Sequence, residues 1–231
     1  MIADRVAAVR ERIARAALRA SRPPESVTLV AVSKTFPAEA VRAGFAAGLR
    51  DFGENRVQEA EPKIASLADL ASPVRWHLVG HLQTNKARRA AALFEVVHSV
   101  DSSELARRLA RAAQEAGRTL RALVQVDLAG EETKFGVDEK CLLPLLEELR
   151  GLAGLRVEGL MLLPPFFSDP QAARPYFGRL RALRDRATAA GLLAGCELSM
   201  GMSHDLEAAV EEGATMVRVG TAIFGEREAA A

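Results

Sequence analysis

Cysteine is almost absent from this chain of 231 residues. The two present, Cys141 and Cys196, exclude a disulfide framework and any cysteine-based metal site, and the four histidines are too scattered to give ligand spacing. No metal is therefore expected, and a reducing cytoplasm is the natural compartment. An excess of one charge is missing too. With 31 basic against 30 acidic residues the formal charge is +1, so no net field recruits nucleic acid or an anionic membrane, and neither is expected as a partner. No run approaches the roughly 20 apolar residues of a membrane span, and the arginine-bearing start lacks the apolar stretch of a secretory signal. Lysine is scarce: positions 34, 63, 86, 134 and 140 are the only five, so arginine serves wherever charge alone is needed. A lysine in an unusual place is then worth asking about.

What is present is core material. Hydrophobic residues make up 49% of the chain and charged ones 26%, enough for one globular domain over residues 1–231. Ile2, Val6, Val9, Ile13 and Ala17 recur at spacings of three and four and predict an amphipathic first helix, ended by Pro23-Pro24. Beyond it, short β-branched runs alternate with helical patterns, the rhythm of βα units on a parallel sheet. Eight strands are expected, at Val27–Lys34, Asp51–Asn55, Val74–Gly80, Glu95–Asp101, Ala122–Ala129, Arg156–Pro164, Glu197–Gly201 and Met216–Gly220. Helices such as Ser103–Ala116 and Cys141–Leu149 separate them. That count fits an α/β fold of a single closed (β/α)₈, TIM-type barrel, with the leading helix as an extra element. The competing doubly wound sheet lacks its Gly-x-Gly-x-x-Gly signature after the first strand.

Chemistry in such a barrel gathers at the C-terminal rim. The first strand is an apolar run that finishes in Lys34, before Thr35-Phe36-Pro37 opens the next helix. Turned inward, its ammonium would lie over the mouth, where desolvation favours the uncharged amine that captures an aldehyde. The plainer reading is a solvated lysine at a strand end. After the last two strands, Gly201, Ser203, Gly220 and Thr221 have the sizes of a phosphate-binding loop pair. Arg218, flanked by valines, should face the lumen, where it needs a ligand or a buried ion-pair partner. The acid and amide of Glu54-Asn55, His77, His81, Gln125 and Asp127 are weaker candidates, the last two expected in the lumen. A lone histidine is more often a hydrogen-bonded structural residue than a catalyst.

Several segments together resemble one family. They are Val30 through Thr35, Phe52-Gly53-Glu54-Asn55 with Gln58-Glu59, and Trp76-His77-Leu78 with Gly80 through Lys86. Glu131 with Lys134 and Gly136, Leu198 through Ser203 with Asp205, and Val217 through Gly220 with Ile223-Phe224-Gly225 complete the set, in order and over nearly the whole chain. The sequence is similar to the pyridoxal 5′-phosphate (PLP) homeostasis protein family, once called proline synthase co-transcribed homologues and related to the barrel domain of alanine racemase. The resemblance implies that Lys34 holds PLP as a Schiff base. It further implies that Ser203, Gly220 and Thr221 bind the phosphate, that Arg218 faces the pyridine nitrogen, and that Ser199 and Asn55 lie nearby. No residue is assigned a catalytic role. The implied function is intracellular PLP (vitamin B6) homeostasis affecting amino-acid metabolism, with little or no turnover and PLP-requiring apo-enzymes as recipients; a complete barrel without an exposed sheet edge can stand as a monomer, the state expected here. Arg56, Asp127 and Leu162-Leu163 depart from the residues common in the family.

A guanidinium cannot take up a proton, so Arg218 would leave the ring nitrogen unprotonated and weaken the cofactor as an electron sink. The alternative is a PLP-dependent racemase of the alanine racemase type, which needs a second acid/base opposite the lysine. The only tyrosine, Tyr176, stands in the sixth helical segment after the first strand. A barrel binding some other phosphorylated metabolite is a third reading.

Overall fold

Runs in which apolar side chains alternate with small or polar ones become the staves of a barrel. In the computed structural model, which describes residues 1–70, 74–130 and 135–226, they are β1 (Thr28–Val32), β2 (Asp51–Glu54), β3 (Arg75–Leu78), β4 (Val96–Val100) and β5 (Leu120–Asp127). A two-residue strand β6 (Val137–Asp138) follows, then β7 (Leu155–Leu162), β8 (Glu197–Ser199) and β9 (Met216–Val219). All pairings are parallel. The order β4-β3-β2-β1-β9-β8-β7-β5 is closed by a β4–β5 pairing, which makes an eight-stranded barrel. Strand β6 pairs with β5 at Val126 and Asp127, beyond the point where β4 leaves it.

The helices are α1 (Ile2–Arg19), α2 (Ala38–Ala46), α3 (Val57–Ala65), α4 (Ala87–Leu93), α5 (Ser103–Glu115), α6 (Glu139–Leu149), α7 (Arg174–Ala189), α8 (Leu206–Glu211) and the single turn α9 (Thr221–Phe224). Ser102 caps α5 by accepting the Leu105 N–H, and Asp138 caps α6 by accepting that of Lys140. Seven of these helices link successive staves. The turn after β9 is too short to cover the sheet, and α1 fills that place, packing on α8, α9 and α2. Its predicted stripe is real: Val6, Val9, Ile13, Ala16 and Ala17 are buried, and Arg12 and Arg19 pair with Glu207 and Glu211 of α8. The leading helix is thus the eighth member of the ring. No described helix is long and apolar enough to cross a membrane.

Two cores result. The larger lies between staves and helices; a smaller one of Val30, Val32, Val79, Leu123, Met161 and Met216 fills part of the lumen. Buried polar residues share the lumen, and their positions decide what the barrel can bind. The glycine at 44 lies inside α2 and ends nothing. A Cβ there would come within 3.1 Å of the Phe52 ring, so Gly44 is a close-packing residue.

Candidate functional site

Val30 and Val32 point into the lumen, and the two-residue period carries Lys34 to the same side. Lys34 lines a cavity of about 480 Å³ at the C-terminal mouth, in company with Asn55, Ser203, Arg218, Gly220 and Thr221. The chain leaves the lysine through Thr35, whose φ of 69° is unusual for a β-branched residue. The backbone just before it is clamped. Lys63 Nζ donates to the Ser33 carbonyl (2.8 Å) and to Glu54 Oε1 (2.6 Å), which also accepts the Ser33 hydroxyl at 2.7 Å.

Arg218 reaches the cavity from β9, only 4% exposed. Its Nη1 donates to Ser199 Oγ at 2.5 Å and its Nη2 to the Leu162 carbonyl at 2.8 Å. Both partners are neutral, and among the described residues no carboxylate is in ion-pair contact with it. Burial pushes its pKa down to about 10, against the pull of Asp205. The sequence left a ligand and a buried ion pair open for this residue, and the ion pair is not what forms.

The opposite wall is built from loops. Gly201 has φ +90°, and a Cβ on it would fall 2.5 Å from that of Ala209, so only glycine lets the loop after β8 lie on α8. Ser203, two residues on, gives its carbonyl to Arg12 Nη2 (3.0 Å), and its hydroxyl accepts the Ala222 N–H at 3.4 Å. Asn55 is held across from Gly80, where a Cβ would stand 2.4 Å from the Asn55 carbonyl oxygen. His81 stacks on Phe135 with ring centroids 3.5 Å apart and 9° between planes, and both line the cavity.

Six of the seven residues expected at the cofactor therefore surround one cavity. Ser199 does not line it; fully buried, it stands behind Arg218 and passes its hydroxyl on to His98 Nδ1 at 2.8 Å. His98 Nε2 meets His77 Nδ1 at 2.9 Å, and His77 Nε2 meets Asp51 Oδ1 at 3.0 Å. Asp51 is pulled down to about 2: burial alone would raise it, but hydrogen bonds from His77 and from Arg75 (2.7 and 2.6 Å) prevail. His77 is thus no lone histidine, and His98 and Asp51 escaped the reading of the sequence. Asp127 is a correction. It does not enter the mouth; its Oδ1 accepts the N–H groups of Ala129 and Gly130 and closes its own turn. Gln125 is buried as expected, donating to the Phe135 carbonyl. Glu131 and Lys134 lie outside the described residues.

Size alone does not select the mouth. A cavity of about 490 Å³ lies under α1 beside Asp51 and Arg75, and one of about 680 Å³ lies by Glu139 and Arg179. In each wall an ion pair stands, Arg75 with Asp51 in the first and Arg179 with Glu139 in the second. The mouth alone of these three joins a lysine, a guanidinium with neutral partners and small hydroxyls.

Residues 5–228 match the family described as alanine racemase, N-terminal domain. The pyridoxal phosphate homeostasis protein of Pseudomonas aeruginosa is 47% identical over 228 residues, 98% of this chain and 96% of that protein. This chain belongs to the pyridoxal phosphate homeostasis protein family. Its homologue from Aquifex aeolicus is 43% identical over 97% of this chain and 98% of its own. Among solved structures, PipY of Synechococcus elongatus PCC7942 with PLP bound superposes with a TM-score of 0.85 at 44% identity, over 97% of this chain and all of that one. The PLP homeostasis proteins thus match this chain along the whole barrel, α1 included.

Proposed function

We propose that this protein holds PLP in the mouth cavity as a Schiff base on Lys34, and serves cytoplasmic vitamin B6 homeostasis with little or no turnover of its own. One observation carries the reading: an amine, a buried guanidinium and a hydroxyl-and-glycine cradle open on a single space of about 480 Å³, a size suited to a small cofactor. The donor set fits PLP part by part. Lys34 supplies the nucleophile for an aldehyde carbon, and Ser203, Gly220 and Thr221 supply a small-residue cradle for a phosphate. A Cβ at Gly220 would come 3.3 Å from the Val32 carbonyl, so the cradle has little room for a larger residue. Val79 and Leu163 offer apolar walls for a ring. That relatives bear the PLP homeostasis name and that PipY was solved with PLP bound support the same assignment.

Bound PLP supplies an electron sink whose strength depends on the partner of its ring nitrogen. Arg218 stays cationic at neutral pH even with its pKa near 10, so it can only donate there, and the sink stays weak. A racemase of the alanine racemase type would need a tyrosine as second acid/base beside the cavity, where the described ionisable groups other than Lys34 and Arg218 are His81 and His204. Tyr176 is not among the lining residues; its ring packs on Phe167 at 5.8 Å in the first turn of α7. Apo-enzymes that need PLP are the proposed recipients.

The test is an absorbance spectrum of the PLP-loaded protein before and after borohydride, followed by peptide mapping. Loss of the imine band and a reduced adduct on Lys34 are expected, and Lys34→Ala should give no adduct. An adduct on another lysine, or none in the wild-type protein, would overturn the attachment. Exchange of the α-deuteron of alanine at ordinary enzyme rates, roughly 1–10³ per second, would overturn the absence of turnover.

A further inference from the structure

The lumen carries a connected file of polar side chains, one each from β2, β3, β4, β8 and β9. Asp51, His77, His98, Ser199 and Arg218 are 7%, 1%, 0%, 0% and 4% exposed, and each meets the next at 2.5–3.0 Å. It begins in the cavity under α1, which Asp51 and Arg75 line, and ends in the mouth cavity, which Arg218 lines. With His77 neutral, the donor and acceptor inventory gives the file one direction. A carboxylate only accepts, so His77 donates from Nε2 to Asp51. A neutral His77 then accepts at Nδ1, so His98 donates from Nε2 and accepts at Nδ1. Ser199 must give its one hydrogen to His98, which leaves its oxygen to accept from Arg218, and a guanidinium only donates.

We propose that Asp51, His77, His98 and Ser199 form a one-way hydrogen-bond relay that positions Arg218 toward the mouth cavity and brings to it the influence of a carboxylate at the other end of the barrel. The relay deepens the PLP reading by naming residues that would set how Arg218 meets the ring. Its own geometry does not depend on that reading. A filler role explains it poorly, because burying ionic and polar groups is costly and well-packed apolar residues of equal volume are often neutral or stabilising replacements.

Nuclear magnetic resonance on the cofactor-free wild-type protein tests the direction. With four histidines in the chain, ¹⁵N-histidine labelling gives a spectrum that single substitutions can assign. Near pH 7.5, His77 and His98 should both be neutral Nε2–H tautomers, and an Nδ1–H tautomer at either position overturns the relay. The second measurement is a double-mutant cycle on PLP binding. Asp51→Asn and Ser199→Ala should each weaken PLP binding by about 2- to 30-fold and move the cofactor's absorption band, the double variant adding little to either. If Asp51→Asn leaves affinity and band as in the wild type, or the two effects simply multiply, Arg218 is held by Ser199 alone and the relay fails. If wild-type protein does not bind PLP, the cofactor reading fails, and the tautomers still decide the relay. A fall in melting temperature alone would show a structural role and would likewise overturn it.

Discussion

His98 shows most plainly how a single buried group makes the fold sensitive to acid. Burial first, then repulsion from the Arg218 and Arg121 guanidiniums and from His77 whenever that ring is protonated, hold its pKa well below the ordinary 6.5. The unfolded chain therefore binds this proton as pH drops through 6.5 while the folded one does not, so stability falls on that side, by up to about 1.4 kcal/mol per pH unit. Asp51 adds the same sign lower down: its stabilisation is complete above its unfolded pKa and is lost as pH falls toward 2. Melting temperature should thus decline from about pH 6.5 downward, and His98→Asn should flatten the part of the slope nearest 6.5. A curve level from pH 7 to 5 in the wild type would contradict this. At Gly201 the constraint is steric. Alanine there would have to hold φ near +90° with its Cβ against that of Ala209, at a cost of about 1–3 kcal/mol or more. A clear drop in the urea midpoint of Gly201→Ala is the expected result.

Elements were easier to read than their ends and their cross-links. The apolar run before Lys34 predicted β1 but left the lysine open between an inward turn and a solvated strand end, and its place in the lining of the mouth decides for the first. The run could not show that the ladder stops at Val32, because the clamp on Ser33 comes from Lys63 of α3 and Glu54 of β2. Strand β6 has two residues, too few for any period. The file from Asp51 to Arg218 was out of reach for a different reason. Its members are up to 167 positions apart, and only the barrel's register sets them in line; each taken singly looks like an ordinary core polar residue. The clamp offers a sharp test of element placement. Lys63 and Glu54 are 10% and 0% exposed, and Glu54 Oε2 has no hydrogen-bond partner among the described residues. Lys63→Met would strand a buried carboxylate, costing about 3–5 kcal/mol, and Glu54→Gln added to it should restore part of that. Equal urea midpoints for the wild type and Lys63→Met would show that the pair does not hold β2 to α3.

For the molecule as a whole, the decisive contact is between its beginning and its end. Strand β1 pairs with β9 at four positions, from Thr28 with Met216 to Ala31 with Val219, and α1 closes the ring of helices against α8 and α9. Removing residues 1–20 should uncover apolar faces of α2 and α8 and release the Ser203 carbonyl from Arg12. Strong binding of a hydrophobic dye and loss of a cooperative melt are expected. A truncated protein that melts cooperatively within a few degrees of the full chain would mean that α1 is dispensable. During synthesis the same arrangement sets an order of events. The first helix and strand leave the ribosome with their apolar sides unmatched and must wait about 190 residues for the segments that cover them, about ten to forty seconds at 5–20 residues per second. The nascent chain is thus most exposed to aggregation just before β9 emerges, and a chaperone that shields α1 and β1 until then would matter more to this protein's yield than one acting after the barrel has closed.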